Sequence, residues 1–277
     1  DERTRGLSMK IFRKIHRMFK LHRIFIKQDL KKLMEYKIDF LTGAIGMLLT
    51  QAINIFFLSV IFSQIPDLEG WTFEQIIFIY GFALLPKAVD HLLFDNLWAI
   101  GHFIIRKGDF DKYLTRPVST LFAVTVEKFQ VDAFGELVVG ILLLGYSLPK
   151  ITVNINFLNI VLFIVSIIFA TFIYTGVKLI TSSIAFWTKR SGNITYMFYM
   201  INDFAKYPTT IYNRAVRAVI TFIVPFAFTA FFPASYFIAG GNPWFNIGGT
   251  VLMAVLLMTV GIFIWNKGVS SYESAGS

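Results

Sequence analysis

Cysteine is absent from the 277 residues, which excludes disulfides, thiolate metal sites and cysteine nucleophiles. No Gly-x-x-x-x-Gly-Lys occurs, so the chain carries no phosphate-cradling loop of its own. The four histidines (His16, His22, His91 and His102) are scattered, without the paired His/carboxylate spacing of a metal site. No serine sits in a nucleophile elbow. These absences exclude a self-contained enzyme and leave no metal or cofactor to be expected on this chain. Positive charge is missing locally too: the loop SQIPDLEGW (63–71) has none, although the chain holds 26 Lys and Arg and a net charge of +9.

What is present is apolar. Hydrophobic residues make up 56% of the chain and 31 residues are Phe, with a mean hydropathy of +0.63. Soluble domains sit near roughly 45–50% apolar. Stretches of about 20 apolar residues are what a bilayer crossing requires, and five clear ones and one weaker one can be counted. The sequence therefore predicts an all-α, polytopic integral membrane protein. Twelve of the Lys and Arg lie in residues 1–39, before the first apolar run, and Arg106, Lys107, Lys112 and Arg116 cluster after the second. Lys189–Arg190 and Lys267 follow later runs. Because Lys and Arg collect in cytoplasmic loops, this asymmetry predicts a multi-pass protein with both termini cytoplasmic. The charge thus reports topology, and no aromatic-stacking or groove-reading motif accompanies it, so no nucleic acid partner is expected. The basic N-terminal stretch is too long for a cleavable signal peptide and no cleavage motif follows it. Residues 1–8 are set aside, with Met9 expected to be the natural start.

Residues 9–28, MKIFRKIHRMFKLHRIFIKQ, space Ile11, Ile15, Met18, His22 and Phe25 three or four apart among basic residues. This predicts a basic amphipathic helix over 9–37, lying in the lipid interface; a nuclear-type basic tract is the plainer alternative. A transmembrane domain over 38–267 follows. Its first span covers Ile38–Phe62. The second, Phe73–Trp98, contains the helix-kinking Pro86. A third, Val118–Leu148, is expected as one long helix, and a fourth covers Phe157–Trp187. Residues 193–212 are weakly apolar. Residues 218–240 are strongly apolar but interrupted by Pro225 and Pro233. Either 193–212 crosses and 218–240 re-enters from outside, or 193–212 stays inside and 218–240 crosses. Residues 243–266 form the last span, and both arrangements give six crossings.

Ionisable residues interrupt the spans: Lys87, Asp90 and His91; Glu127, Asp132 and Glu136; Lys178; Asp203 and Lys206. Each costs roughly 2.5–3.5 kcal/mol at a helix centre on insertion scales, so they should face a bundle interior or water. They are candidates for structural pairing between helices or for lining a translocation pathway; Glu127 is the one expected to be merely interfacial. Lys87 and Asp90, three residues apart, are expected to pair on one helix face. Asp132 and Glu136 form a like-charged stripe in need of cations. The charged knot KGDFDKYLTRPVS (107–119) is an ordinary polar loop on composition alone. Its length suggests more. Asp109 is placed to cap a short helix over FDKYL, Pro117 to redirect the chain, and Phe110, Tyr113 and Leu114 to form an apolar ridge for docking.

EYKIDFLTGAIG (35–46), KGDFDKYLTRPVS and YPTTIYNRAVRAVITFIVPFAFTAFFPASYF (207–237) together resemble the ABC-2 type permeases, in particular the small six-span ABC-2 family transporter proteins. The resemblance runs from about Lys31 onward. It implies a permease, most simply an exporter in the plasma membrane with membrane lipid around it, and the aromatic residues Phe56, Phe57, Phe78, Tyr80 and Phe82 would suit an amphiphilic substrate. Two permeases, identical or related, would pair, and each would dock on one of two ATP-binding ABC subunits that hold ATP and Mg. It also implies a coupling segment over 106–118, with Gly108, Asp109, Asp111, Leu114, Arg116 and Pro117 at matching positions. Pro208, Pro225 and Pro233 would mark an outer gate, and 218–240 a re-entrant segment before the last span, which tips the topology toward 193–212 crossing. The competing readings are an ATP-independent carrier or channel using the buried acids, and a membrane scaffold without transport.

Overall fold

The computed structural model describes residues 27–28, 31 and 37–274. The basic helix expected over 9–37 thus lies almost entirely outside the described residues. Every regular element among the described residues is a helix, apart from one isolated bridge between Leu68 and Trp71. The main helices in chain order are α1 (Lys37–Phe62), α2 (Phe73–Phe94), α3 (Asp111–Leu114), α4 (Thr120–Thr125) and α5 (Phe134–Ser147). They continue with α6 (Phe157–Ser183), α7 (Gly192–Ile201), α8 (Arg214–Ala218), α9 (Phe231–Ala239) and α10 (Gly249–Ser270). Among the described residues four stretches are long and apolar enough to cross a membrane: Leu41–Phe62, Phe73–Phe94, Phe157–Thr188 and Trp244–Ser270.

α2 is the hub. Thr72 and Gln75 form a reciprocal capping box at its start, supplying partners for amides that a helix cannot satisfy itself. Its whole surface from Ile76 to Ala88 is buried by neighbouring helices. It approaches α5 at Gly81 and Gly140: a Cβ on either glycine would lie 3.0–3.1 Å from the other's carbonyl oxygen. Small residues at such a crossing let two backbones come together. α6 and α10 pack along each other in the same way, Gly176 against Leu257 and Gly261 against Leu179. The hydroxyls of Thr171, Thr181, Ser182 and Ser183 on α6 donate to carbonyls in the preceding turn, so these polar groups enter the interior already satisfied. α1 is the contrast, with Leu48, Leu49, Ile53, Phe56 and Phe57 all exposed.

The third expected span is not one helix. α4 ends at Thr125, and the chain becomes irregular before a 3₁₀ turn at Val131–Ala133 leads into α5. Backbone groups freed by this break need partners inside an apolar bundle. Two are found at the end of α2: Asn96 Nδ2 donates to Val124 O at 2.8 Å, and Gln130 N donates to Leu92 O at 3.4 Å.

Residues 192–211 run between the two ends of the bundle. Gly192 opens α7 so close to His102 that a Cβ there would meet its ring at 2.4 Å, whereas Tyr207 packs on the cluster of Leu58, Ile76 and Ile77 beside Trp71 and Phe73. The segment containing Pro225 and Pro233 is broken into α8, a π turn, a 3₁₀ turn at Phe226–Thr229 and α9. Phe231 meets Trp71 at 5.6 Å and Phe237 meets Phe163 at 5.5 Å. α9 therefore packs near the end of the bundle away from the knot. Pro208, Pro225 and Pro233 are all buried there or in the middle.

Candidate functional site

Two polar constructions stand out, and both lie toward the C-terminal end of α2. The first is the charged knot. Beyond α2 the helix continues irregularly through a π turn at Ile100–Ile104, and Gly108 then adopts φ +76°, a left-handed conformation open to glycine at little cost. α3 follows. Its N-terminal cap residue is Phe110, with no side-chain hydrogen bond at the cap. Asp109 is exposed and does not cap the helix, contrary to the expectation from sequence. Burial of Phe110 sets the geometry instead. Its ring lies 5.0 Å from Phe186, 5.0 Å from Tyr272 and 5.9 Å from Trp265, in a socket made where α6 and α10 end.

The expected apolar ridge is likewise turned inward. Phe110 and Tyr113 are fully buried, and of the three residues only Leu114 reaches the surface, at 47% exposure. Asp111 accepts a hydrogen bond from Ser274 Oγ at 2.6 Å. Glu127, expected to be merely interfacial, clips the other side of the knot, with Lys112 at 2.5 Å and Arg116 at 2.9 Å. Burial, the largest single influence, would lower the Lys112 pKa, but the hydrogen bond and charge of Glu127 together with Tyr113 outweigh it and the net shift is upward. Pro117 is exposed and Arg116 half-buried.

The second construction is an ion network. Lys87 and Asp90 do not pair with each other as their spacing suggested. Side chains three apart on a helix diverge enough to reach different neighbours, and here each finds a partner on another helix. Lys87 Nζ meets Glu136 of α5 at 3.2 Å, and Asp90 Oδ2 meets Lys178 of α6 at 2.6 Å. Thr175 Oγ1 donates to the other Asp90 oxygen at 2.7 Å. His91 bridges Glu136 (3.0 Å) and the Tyr199 hydroxyl of α7 (3.1 Å). Lys178 also stands 3.7 Å from Asp95. Glu136 thus finds the cations its stripe required; the side chain of Asp132 lies outside the description. Asp203 and Lys206 form their own pair at 2.6 Å, with Lys206 above the Tyr80 ring at 5.5 Å. Beside the network opens a cavity of about 400 Å³ walled by α1, α2, α7 and the start of α5.

Sequence reasoning did not single out Asp95, Trp98 and Tyr199 at this cavity, nor the Phe186–Trp265–Tyr272 socket at the knot, and it placed Glu127 at the interface without its partners. Nothing in spacing marks them, since they converge from separate helices. Among the described residues no group of His, Cys, Asp or Glu is arranged to hold a metal ion.

The family of ABC-2 family transporter proteins matches residues 48–276, which includes the knot, the ion network and the broken segment. The chain belongs to this family. It is a multi-pass membrane protein of the ABC transporter permease class, a transport component rather than a catalyst. No curated protein and no solved structure matched it.

Proposed function

We propose that this ABC-2 family protein is the membrane subunit of an ABC exporter. It moves an amphiphilic substrate outward by alternating access, driven by two copies of a separate ATP-binding subunit that hold ATP and Mg. It works as a pair with a second permease, identical or related, in the plasma membrane with both termini cytoplasmic. Six crossings accommodate this, with 193–212 as the fifth and 218–240 as a re-entrant outer segment carrying Pro225 and Pro233 beside Pro208. The run of 192–211 from His102 to the Ile76–Ile77 cluster supports that count.

The construction of the knot carries the reading. A force-transmitting element needs an exposed tip and a rigid root. Asp109, Leu114 and Pro117 are exposed, while Phe110 roots the segment among the ends of α6 and α10. A push on the tip is then delivered to two packed spans together, as rigid-body gating requires. Pairing of Asp90 and Glu136 with lysines speaks against the carrier reading, whose relay needs carboxylates free to cycle a proton. The test is co-purification with an ATP-binding subunit from the same operon, comparing wild type with Asp109→Lys plus Leu114→Asp. Both positions are exposed, so folding should survive. Loss of association and of stimulated ATPase activity is expected; unchanged association would return the knot to an ordinary loop.

A further inference from the structure

The cavity beside the ion network has a chemistry that the permease reading alone does not specify. Its volume of about 400 Å³ falls within the roughly 300–1,000 Å³ of pockets that enclose drug-sized ligands. Asp95, Trp98, Glu136, Tyr196 and Tyr199 line it, with Met47 closing the α1 side. Among the described residues no lysine or arginine lines it. Both lysines of the network are held behind the wall, Lys178 against Asp90 at 2.6 Å and Lys87 against Glu136 at 3.2 Å. Asp95 receives only the distant side of Lys178, at 3.7 Å. Among the described side chains, the network therefore sets three carboxylates (Asp90, Asp95 and Glu136) against two ammonium groups. Asp95, 21% exposed on the cavity wall, is the carboxylate left without a close ammonium group, and a monovalent cation in the cavity would complement it.

The aromatic walls add a second preference. Trp98 meets Tyr199 edge-on at 5.4 Å, and Tyr199 stacks on His91 at 5.7 Å, so these rings are fixed in place. Lys87 already stands 5.1 Å above the Tyr199 ring, a geometry in which ring quadrupoles attract cations. Rings bind a weakly hydrated organic cation better than a small, tightly hydrated ion, because less hydration is surrendered.

We infer that this cavity binds a hydrophobic organic cation, an amine or onium with an aromatic or branched apolar body, its charge facing Asp95 and its body against Trp98 and Tyr196. The inference rests on the permease reading for its role, naming the substrate class, but its test needs this chain alone. The purified full chain is dialysed to equilibrium against labelled tetraphenylphosphonium or the anion of the same shape, tetraphenylborate, at matched detergent. Saturable binding of the cation but not of the anion is expected. Asp95→Asn should weaken it by at least about tenfold and Trp98→Leu by roughly threefold to tenfold. Asp67→Asn, at an exposed position of the 63–71 loop away from the cavity, should leave it unchanged. Thermal melting of each variant checks folding, and Trp98→Leu keeps the test decisive if Asp95→Asn does not fold. Equal uptake of both ions, or cation binding insensitive to Trp98→Leu, would overturn the site. Such a failure alongside intact association with the ATP-binding subunit would leave the permease reading standing; cation binding without that association would do the reverse.

Discussion

Lys178 is only 4% exposed and is the sole charged residue of its helix. A lone ammonium at that depth would be costly; its contact with Asp90, itself supported by Thr175, makes the position tenable. The pair is valuable mainly because of what remains when half of it is removed. Lys178→Met should leave Asp90 uncompensated and lower stability by about 3–5 kcal/mol, measured by thermal melting in detergent. Asp90→Asn combined with Lys178→Met should lose less than the single change, since no unpaired charge is left at that contact. A double variant no better than Lys178→Met would show that the pair is not the reason for the loss. The sequence named both residues and recognised that they must face inward. It mispaired Lys87 with Asp90 because spacing along one helix reports only local neighbours, while the stronger contacts come from helices 49 and 88 residues away in the chain.

Among the elements, the knot is where local reasoning and packing diverge most. Asp109, Phe110, Tyr113 and Leu114 have the spacing of a short capped helix with an outward apolar ridge, and a short helix does form. Its orientation is inverted for two of the three ridge residues, because the ends of α6 and α10 offer a ready aromatic pocket and burying an aromatic ring outweighs one side-chain cap. The clip from Glu127 holds the opposite edge. Lys112 has a folded-state pKa above its ordinary value through that contact, so the stability it contributes is fully present at neutral pH. That contribution disappears as pH rises through the raised lysine pKa. Glu127→Gln should therefore remove part of the alkaline loss of stability seen in the wild type while changing the melting temperature little at pH 7, since half-exposed ion pairs contribute roughly 0–1 kcal/mol. Superimposable alkaline melting profiles for the two proteins would dismiss the clip.

For the whole molecule, the absence of cysteine makes single-cysteine labelling from either side of the membrane direct. Gln64→Cys, Asp109→Cys and Arg214→Cys all fall at exposed positions. With 193–212 crossing, residue 214 should label with an impermeant maleimide from the same side as residue 64, and residue 109 from the other. Labelling of residue 214 together with residue 109 would mean that 218–240 makes the crossing instead. Among the described residues four spans satisfy the length and hydropathy of a continuous helix; the 120–147 and 192–239 segments are broken, and hydropathy alone cannot order them.

The sequence by itself determined the class of this protein: apolar runs of bilayer length, loop charge and the absence of catalytic motifs depend only on composition along the chain, and the motifs of the knot and the proline-broken segment carry the family. Tertiary structure decided the partners. Which lysine meets which carboxylate, how Phe110 finds its socket, and that Asp95, Trp98 and Tyr199 surround one cavity all follow from packing between helices distant in sequence. No periodicity within a single helix encodes which neighbour its buried face will meet.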